Sequence, residues 1–444
     1  MPHSTPARIL RLAGAVALAT GAIHAEAGQQ VLKGELLIEG INANNYTDGN
    51  DNENDRASQM WLRASYGAKL SFDDFSEVHL GVVYDAEGGD WSGTAANAGE
   101  TRGEVAINDA YVVLKQFLRE DMHLRIGRQP VSWNLRADYG AFLFDSRANK
   151  PVVTNWDGVR GYWQTDRVKW SAFWYLLDED REAQGLGTGA GGNSKDNSLY
   201  GLSFDWEPDS NGDNRIFLTG SASIEENTPL GIAGGNLAGE QLINYYFGAE
   251  VEFDQGFTFY GEFSAQDGKF DDTQDFDGLG FSLGIDWEAG DGQDTIIGVQ
   301  YDWLSGDDNP GDNKFESFHA NWEGVSDTLI MEHERYGELS ELLVGNLEAV
   351  KVKLEYGMFE DRMRVKLVGA WYSLNEADAF GDDDFGAEFD FVVNWQYTYH
   401  VNVGMFFGFF DPGDAYMNAA SSVLGTNVND DLIMLGGINV QTLF

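Results

Sequence analysis

The sequence predicts an all-β protein, a transmembrane antiparallel up-and-down β-barrel of about 18 strands. Three features predict it: segments with apolar residues at every second position, connections that alternate between long and short, and a last strand that ends at Phe444. A barrel with long extracellular loops and short periplasmic turns produces such an alternation, whereas a soluble β-sandwich does not require it. An even strand count then places both termini in the periplasm.

About 18 segments carry the strand pattern. In 277–289, for example, Leu279, Leu283 and Trp287 alternate with glycine, serine and aspartate. One face of such a strand suits lipid and the other suits water. The predicted strands are 31–39, 58–72, 77–85, 104–116, 121–128, 157–164, 167–177, 198–207, 214–224, 241–253, 256–266, 277–289, 294–304, 346–357, 361–373, 386–397, 399–410 and 432–443.

The first 27 residues have the form of a secretory signal peptide. Arg8 and Arg11 precede an apolar run, and Ala25 and Ala27 offer a small-x-small cleavage site. The run is too short to cross a bilayer as a helix. We expect cleavage after Ala27, or secondarily after Ala25, and one barrel domain over 28–444.

Composition excludes several classes of protein. A net charge of −45 argues against nucleic acid as a partner, and 13% aromatic residues argue against disorder. The chain has no cysteine for disulfides, lipidation or thiolate chemistry. It also lacks HExxH and phosphate-loop motifs. We therefore predict a protein that is not an enzyme and needs no cofactor.

Strand parity directs many of the few basic residues into the predicted lumen. Acidic residues such as Glu262, Glu388 and Asp390 point inward on other strands, so the lumen would orient anionic or dipolar solutes. Alternatively, these charges pair with one another and only hydrate the lumen. The inward basic residues are Arg125, Arg160, Lys169, Lys351, Lys353, Arg362, Arg364 and Lys366.

Two loops have unusual content. The loop 129–156 combines aromatic residues with Arg136 and Arg147, which predicts either a constriction folded into the lumen or packing on the rim. The long extracellular loop 305–345 contains Asp307, Asp308 and Asp312, which could bind Ca²⁺ or form a solvated loop. Further along it, an apolar pattern starting at Leu329 and Ile330 predicts a short amphipathic helix, acting as a lid or packed on the rim.

Three segments resemble motifs of the alginate-export family of outer-membrane barrels: RIGRQP (125–130), DGVRGYW (157–163) and YDWLSGDDNPGDNKFESF (301–318). The resemblance implies an 18-stranded conduit, since the type member exports an anionic polyuronate through an arginine-rich constriction. By motif position, it assigns the pore-lining role to Arg128 and Arg160.

We therefore predict a porin-like channel in the outer membrane of a Gram-negative bacterium. It would pass or export small hydrophilic or polyanionic solutes, and its partners would be outer-membrane lipid and the assembly machinery that reads a terminal aromatic residue such as Phe444. The alternatives are a non-conducting, surface-binding adhesin barrel and a porin sheath around a periplasmic electron carrier. The sequence leaves the oligomeric state, monomer or trimer, open.

Overall fold

The computed structural model describes most of the chain. The described residues are 29–45, 57–90, 102–131, 155–178, 197–208, 214–224, 241–253, 255–270, 273–289, 295–309, 311–318, 328–331, 345–377, 381–424 and 430–444. The predicted signal peptide lies outside them and stays a prediction.

The described chain is almost entirely β-strand. Its strands are β1 (Gln29–Asn44), β2 (Ala57–Ser71), β3 (Ser76–Asp90), β4 (Arg102–Lys115), β5 (Met122–Gln129), β6 (Trp156–Gln164), β7 (Val168–Asp178), β8 (Asn197–Trp206), β9 (Asn214–Ile224), β10 (Gln241–Phe253), β11 (Phe257–Lys269), β12 (Asp275–Phe276), β13 (Leu279–Ala289), β14 (Thr295–Leu304), β15 (Lys314–Phe315), β16 (Leu347–Met358), β17 (Met363–Ser373), β18 (Asp384–Thr398), β19 (Val401–Pro412) and β20 (Ile433–Leu443). One helix, α1 (Asp414–Leu424), lies between β19 and β20.

These strands form one closed antiparallel barrel. The two-residue strands β12 and β15 pair in parallel with each other, and the other 18 strands make the wall, each hydrogen-bonded to its neighbours in the chain. The last strand closes the ring on the first, in a register from Glu35 opposite Leu443 to Asn44 opposite Met434. The predicted antiparallel barrel of about 18 strands is confirmed.

The seam between β20 and β1 ends on a specific contact. The backbone N–H of Phe444 donates to the carbonyl of Gly34 at 2.9 Å, and that of Gly34 donates to the carbonyl of Phe444 at 2.6 Å. The ring of Phe444 occupies the space that a Cβ on Gly34 would need, because its Cε2 lies 2.2 Å from that position. Because Gly34 has no side chain, the ring of Phe444 can pack over it on the outer face.

Alternation along the strands separates an apolar outer face from a polar lumen. On β13 the outward Leu279, Leu283 and Trp287 are 40–55% exposed, whereas the inward Ser282 and Asp286 are buried. The predicted bounds of β9 and β10 agree with the structure. Strand β1 extends beyond its predicted end at residue 39 to Asn44, because outward residues beyond the apolar belt need not be apolar.

The helix α1 lies in the connection between the predicted strands 399–410 and 432–443, where the sequence pattern predicted no helix. Asp414 lies in its first turn, and Ala415, Tyr416 and Ala420 form its buried face. These buried residues recur at spacings of one, four and five, which is typical of a helix and not of a strand. Among the described residues, no helix is long and apolar enough to cross a membrane.

Candidate functional site

The lumen of the barrel is the candidate site, because an 18-stranded barrel is wide enough to leave an aqueous channel. Three basic residues share one part of its wall. Arg125 of β5 lies directly opposite Arg160 of β6 in the strand register, and Lys169 lies near the start of β7. We call Arg125, Arg160 and Lys169 the basic wall. All three lie on the strand face that parity assigned to the lumen, and their pore-lining role stays a prediction.

Aromatic rings support each cation of the basic wall. The guanidinium of Arg125 lies 5.0 Å from the ring centroid of Tyr111. Tyr162 supports two cations, with the guanidinium carbon of Arg160 at 6.0 Å and the Nζ of Lys169 at 5.2 Å from its centroid. A cation over a tyrosine face is stabilised by the ring quadrupole.

Two histidines hold these tyrosine rings in place. His79 stacks on Tyr111 with centroids 4.3 Å apart, and His123 stacks on Tyr162 at 4.9 Å. Both pairs are direct cross-strand neighbours, His79 with Tyr111 between β3 and β4 and His123 with Tyr162 between β5 and β6. The sequence analysis did not identify the tyrosines, although the same parity that placed Arg125 and Arg160 inward also applies to them.

Opposed arginines on neighbouring strands repel each other, and like charges directly opposite destabilise a sheet. Arg160 donates to the hydroxyl of Ser171, from Nη2 at 3.0 Å and Nε at 3.3 Å. Among the described residues, Arg125 and Lys169 have no carboxylate within 4.0 Å, and the buried Nε of Arg125 has no hydrogen-bond partner. The basic wall thus keeps donor capacity that an anion could use.

The lumen wall formed by β13–β18 has a different arrangement, and we call it the opposite wall. In the ring of 18 strands, β6 is sixth and β17 is fifteenth, so the two lie half a turn apart. Lys351 pairs with Asp302 at 2.8 Å and Lys353 with Asp286 at 3.6 Å. These lysines face inward as predicted, but each is buried against a carboxylate.

The basic residues predicted on β17 do not all lie on the strand. Arg364 and Lys366 share the inward face with the buried Tyr372, and Arg364 lies 3.7 Å from Glu355. The prediction for Arg362 as an inward strand residue is wrong, because β17 begins only at Met363. Arg362 lies in the preceding turn and donates to the carbonyl of Tyr397 at 2.9 Å.

Arg128, which the resemblance assigned to the pore, lies on the outer face instead. It pairs with Asp157, with Nη2 and Oδ2 2.5 Å apart, on the same face as the exposed Ile126. The reason is the strand period of two: Arg125 and Arg128 are three residues apart, so their side chains point to opposite faces. The alternation of side chains along β5 is therefore incompatible with both residues lining the lumen.

A short segment of the long loop lies inside the barrel. We call Thr328–Met331 the strap; Ile330 and Met331 are fully buried in one apolar cluster with Phe385, Phe410 and Tyr416 of α1. The described part of the strap consists of bends, so the prediction that a helix starts at Leu329 is wrong for these residues. The remaining residues of that predicted helix lie outside the described ones.

The predicted constriction loop 129–156 is described only at its ends. Val131 is fully buried, and Asn155 donates from Nδ2 to the carbonyl of Asn108 at 2.8 Å and to Asp109 at 3.1 Å. Arg136 and Arg147 lie outside the described residues, so their role in a constriction stays a prediction.

The acidic cluster of the long loop makes turn contacts. Asp312 accepts the backbone N–H of Lys314 at 2.7 Å, and Asp307 accepts that of Asn309 at 3.1 Å. Burial raises the pKa of Asp307. Within the described ranges, no three or more acidic, histidine or cysteine side chains are grouped to hold a metal ion. Calcium binding by Asp307, Asp308 and Asp312 therefore gains no support here and stays a prediction.

The fold and the polar lumen define a class, the transmembrane β-barrel channels. Solved structures of similar fold include OccAB4 of Acinetobacter baumannii, with a TM-score of 0.61 and 12% identity over 94% of this chain and 99% of that one. OprD of Pseudomonas aeruginosa has a TM-score of 0.58 and 9% identity over 95% of this chain and 97% of that one. No curated protein sequence matches the chain.

A family model described as alginate export matches residues 46–429, which is most of the chain. The chain belongs to the alginate-export family. Family and fold together identify an outer-membrane channel of a Gram-negative bacterium for the passage of solutes, with membrane lipid around it. They do not favour the adhesin and electron-carrier alternatives.

Proposed function

We propose that this channel passes hydrophilic anions, and in particular acidic saccharides, along the basic wall. One observation carries the proposal: Arg125 and Arg160 lie directly opposite each other on neighbouring strands, and Arg125 has no carboxylate within 4.0 Å among the described residues. The chain has 73 acidic residues against 28 basic ones. The chain is therefore not short of acidic residues, and such a shortage does not explain why Arg125 has no carboxylate beside it among the described residues.

The aromatic neighbours suit this class of solute. Carboxylates accept paired hydrogen bonds from guanidinium groups, and the tyrosines that support the arginines add apolar surface and hydroxyl groups beside them. A sugar acid offers a carboxylate, hydroxyl groups and an apolar ring face to such a wall. Small inorganic anions would use only the charge.

The remaining parts of the proposal concern orientation and partners. We place the short turns and both termini in the periplasm and the long loops outside the cell, as in known barrels of this type. Phe444, seated on Gly34, would be read by the barrel assembly machinery. Transport down a gradient requires neither a cofactor nor catalysis, so the channel would not be an enzyme.

The test measures ion selectivity of the refolded protein in planar bilayers under a KCl gradient. The variant Arg125→Met/Arg160→Met should lower the anion-to-cation permeability ratio severalfold, since two fixed charges leave the lumen. The matched control is Lys353→Met/Asp286→Asn, which removes an already compensated pair and should leave the ratio unchanged. Equal shifts in both variants would contradict the role of the basic wall.

A second measurement addresses the solute. An oligouronate added to one side should block the wild-type current, and the block should weaken in Arg125→Met/Arg160→Met and at high salt, because charged contacts are screened. A neutral oligosaccharide of equal length serves as the control. Equal block by both sugars would show that the channel selects saccharides by size and not by charge.

A further inference from the structure

The strap is attached to the barrel wall through its backbone. The N–H of Leu329 lies 2.9 Å from Oε1 of Glu388 and 3.0 Å from Oδ2 of Asp390. The N–H of Ile330 donates to Oε1 of Glu388 at 2.6 Å, and that of Met331 donates to Oε2 at 3.0 Å. Two carboxylates thus receive three consecutive N–H groups.

The buried N–H groups of the strap need these hydrogen bonds. An N–H group removed from water must find a partner, and a bent segment of four residues supplies none of its own for these three. Glu388 and Asp390 are two residues apart on β18, so both point into the lumen from one strand. Their mutual repulsion is offset by the shared donors, because hydrogen bonds to a charged acceptor are strong.

Side chains fix the strap as well. The hydroxyl of Tyr372 donates to Thr328 at 3.0 Å. A Cβ on Gly408 would lie 2.8 Å from Oδ1 of Asp390 and 3.2 Å from Cγ1 and Cδ1 of Ile330, so the absence of a side chain at Gly408 makes room for both residues. Three neighbouring strands, β17, β18 and β19, therefore contribute to one seat for the strap.

We propose that Glu388 and Asp390 are positioning residues that hold the strap against the opposite wall and thereby set the open width of the channel. The strap belongs to the connection between β15 and β16, and its seat lies across the lumen from the basic wall. A released strap changes the space available to any solute. The proposal depends on the channel but not on anionic solutes as its cargo.

The test measures how fast a cysteine placed in the strap is labelled, which depends on whether the strap stays buried. The natural chain has no cysteine, so Ile330→Cys introduces a single thiol at a fully buried position. A membrane-impermeant thiol reagent should label it slowly, compared with Leu118→Cys, a turn position that is 73% exposed. Adding Glu388→Gln/Asp390→Asn should accelerate labelling about tenfold, because neutral amide oxygens accept the N–H groups of the strap more weakly than carboxylate oxygens do.

The matched control is Glu355→Gln, the same change on the inward face of β16, where Glu355 lies near Arg364 and not near the strap. It should leave labelling of Ile330→Cys unchanged. In bilayers, the cysteine-free Glu388→Gln/Asp390→Asn channel should show a changed unitary conductance and more current noise, whereas Glu355→Gln should not.

A second variant separates release of the strap from misfolding caused by loss of the carboxylates. Gly408→Val retains both carboxylates but inserts atoms where Ile330 packs, and it should also accelerate labelling of Ile330→Cys. Rapid labelling of Ile330→Cys without other changes would overturn the proposal. So would slow labelling and unchanged conductance in folded Glu388→Gln/Asp390→Asn, since the strap would then not depend on the carboxylates.

Discussion

The basic wall and the opposite wall face each other across one lumen, but their charged side chains have different kinds of partner. Lys351 and Lys353 lie 2.8 and 3.6 Å from aspartates, and the carboxylates of Glu388 and Asp390 bind the N–H groups of the strap. Arg125 and Lys169 rest on tyrosine rings instead. Removing one partner of a compensated buried pair would destabilise the barrel, whereas we propose that Arg125 and Lys169, which have no carboxylate within 4.0 Å among the described residues, are available to a solute.

The largest expected effect contrasts two identical substitutions. Lys353→Met leaves Asp286 buried beside a methionine and should cost on the order of 3 kcal/mol of unfolding free energy, the loss typical of a broken buried pair. Lys169→Met removes a cation near Arg160 and should cost little or even stabilise. Urea unfolding in lipid vesicles, followed by tryptophan fluorescence, measures both.

The double variant Lys353→Met/Asp286→Asn tests the same explanation. It should recover most of the lost stability, because no lone charge is left behind. If Lys353→Met and Lys169→Met unfold at the same urea concentration, the distinction between compensated and available cations does not hold.

A smaller effect is expected at the aromatic support. Tyr162→Leu removes the ring beneath Arg160 and Lys169, which should weaken cation contacts by about 1 kcal/mol and reduce the current block by an oligouronate about fivefold. Tyr162→Phe keeps the ring and should retain most of the block. If phenylalanine and leucine weaken the block equally, the hydroxyl and not the ring face carries the contribution of Tyr162.

The smallest effect is expected on the outer face. Arg128→Ala removes a partly exposed ion pair with Asp157, and such pairs contribute about 1 kcal/mol or less. Selectivity and oligouronate block should both equal those of the wild type. A clear drop in the anion-to-cation permeability ratio would instead place Arg128 on the conduction path and contradict the assigned strand face.

The sequence predicted the barrel well because its signal is local and repeated. The pattern in 241–253 predicts β10 with its observed bounds, since apolar residues occupy every second position from Ile243 to Phe253. Parity likewise placed Arg125 and Arg160 inward. The transfer of Arg128 by motif position failed because a motif match carries no information about which strand face a residue occupies.

The contents of the lumen were harder to predict. The strap depends on contacts between Leu329 and Glu388, which are 59 positions apart in the sequence, and no local pattern reports such a pairing. The ion pairs of the opposite wall connect different strands and depend on register, which pattern alone leaves open. Strand parity could have predicted the tyrosines that support the cations, because Tyr111 and Tyr162 follow the same parity as the arginines.

The seam between β20 and β1 has a kinetic consequence. Every other ladder of the wall joins strands that follow each other along the chain, so each can form as a hairpin at low cost in loop entropy. The seam alone brings together residues such as Glu35 and Leu443. Until it forms, two long strand edges stay open to pairing with other chains. Closure of this single non-local ladder, with the ring of Phe444 settling over Gly34, is therefore the step at which the barrel either completes or aggregates.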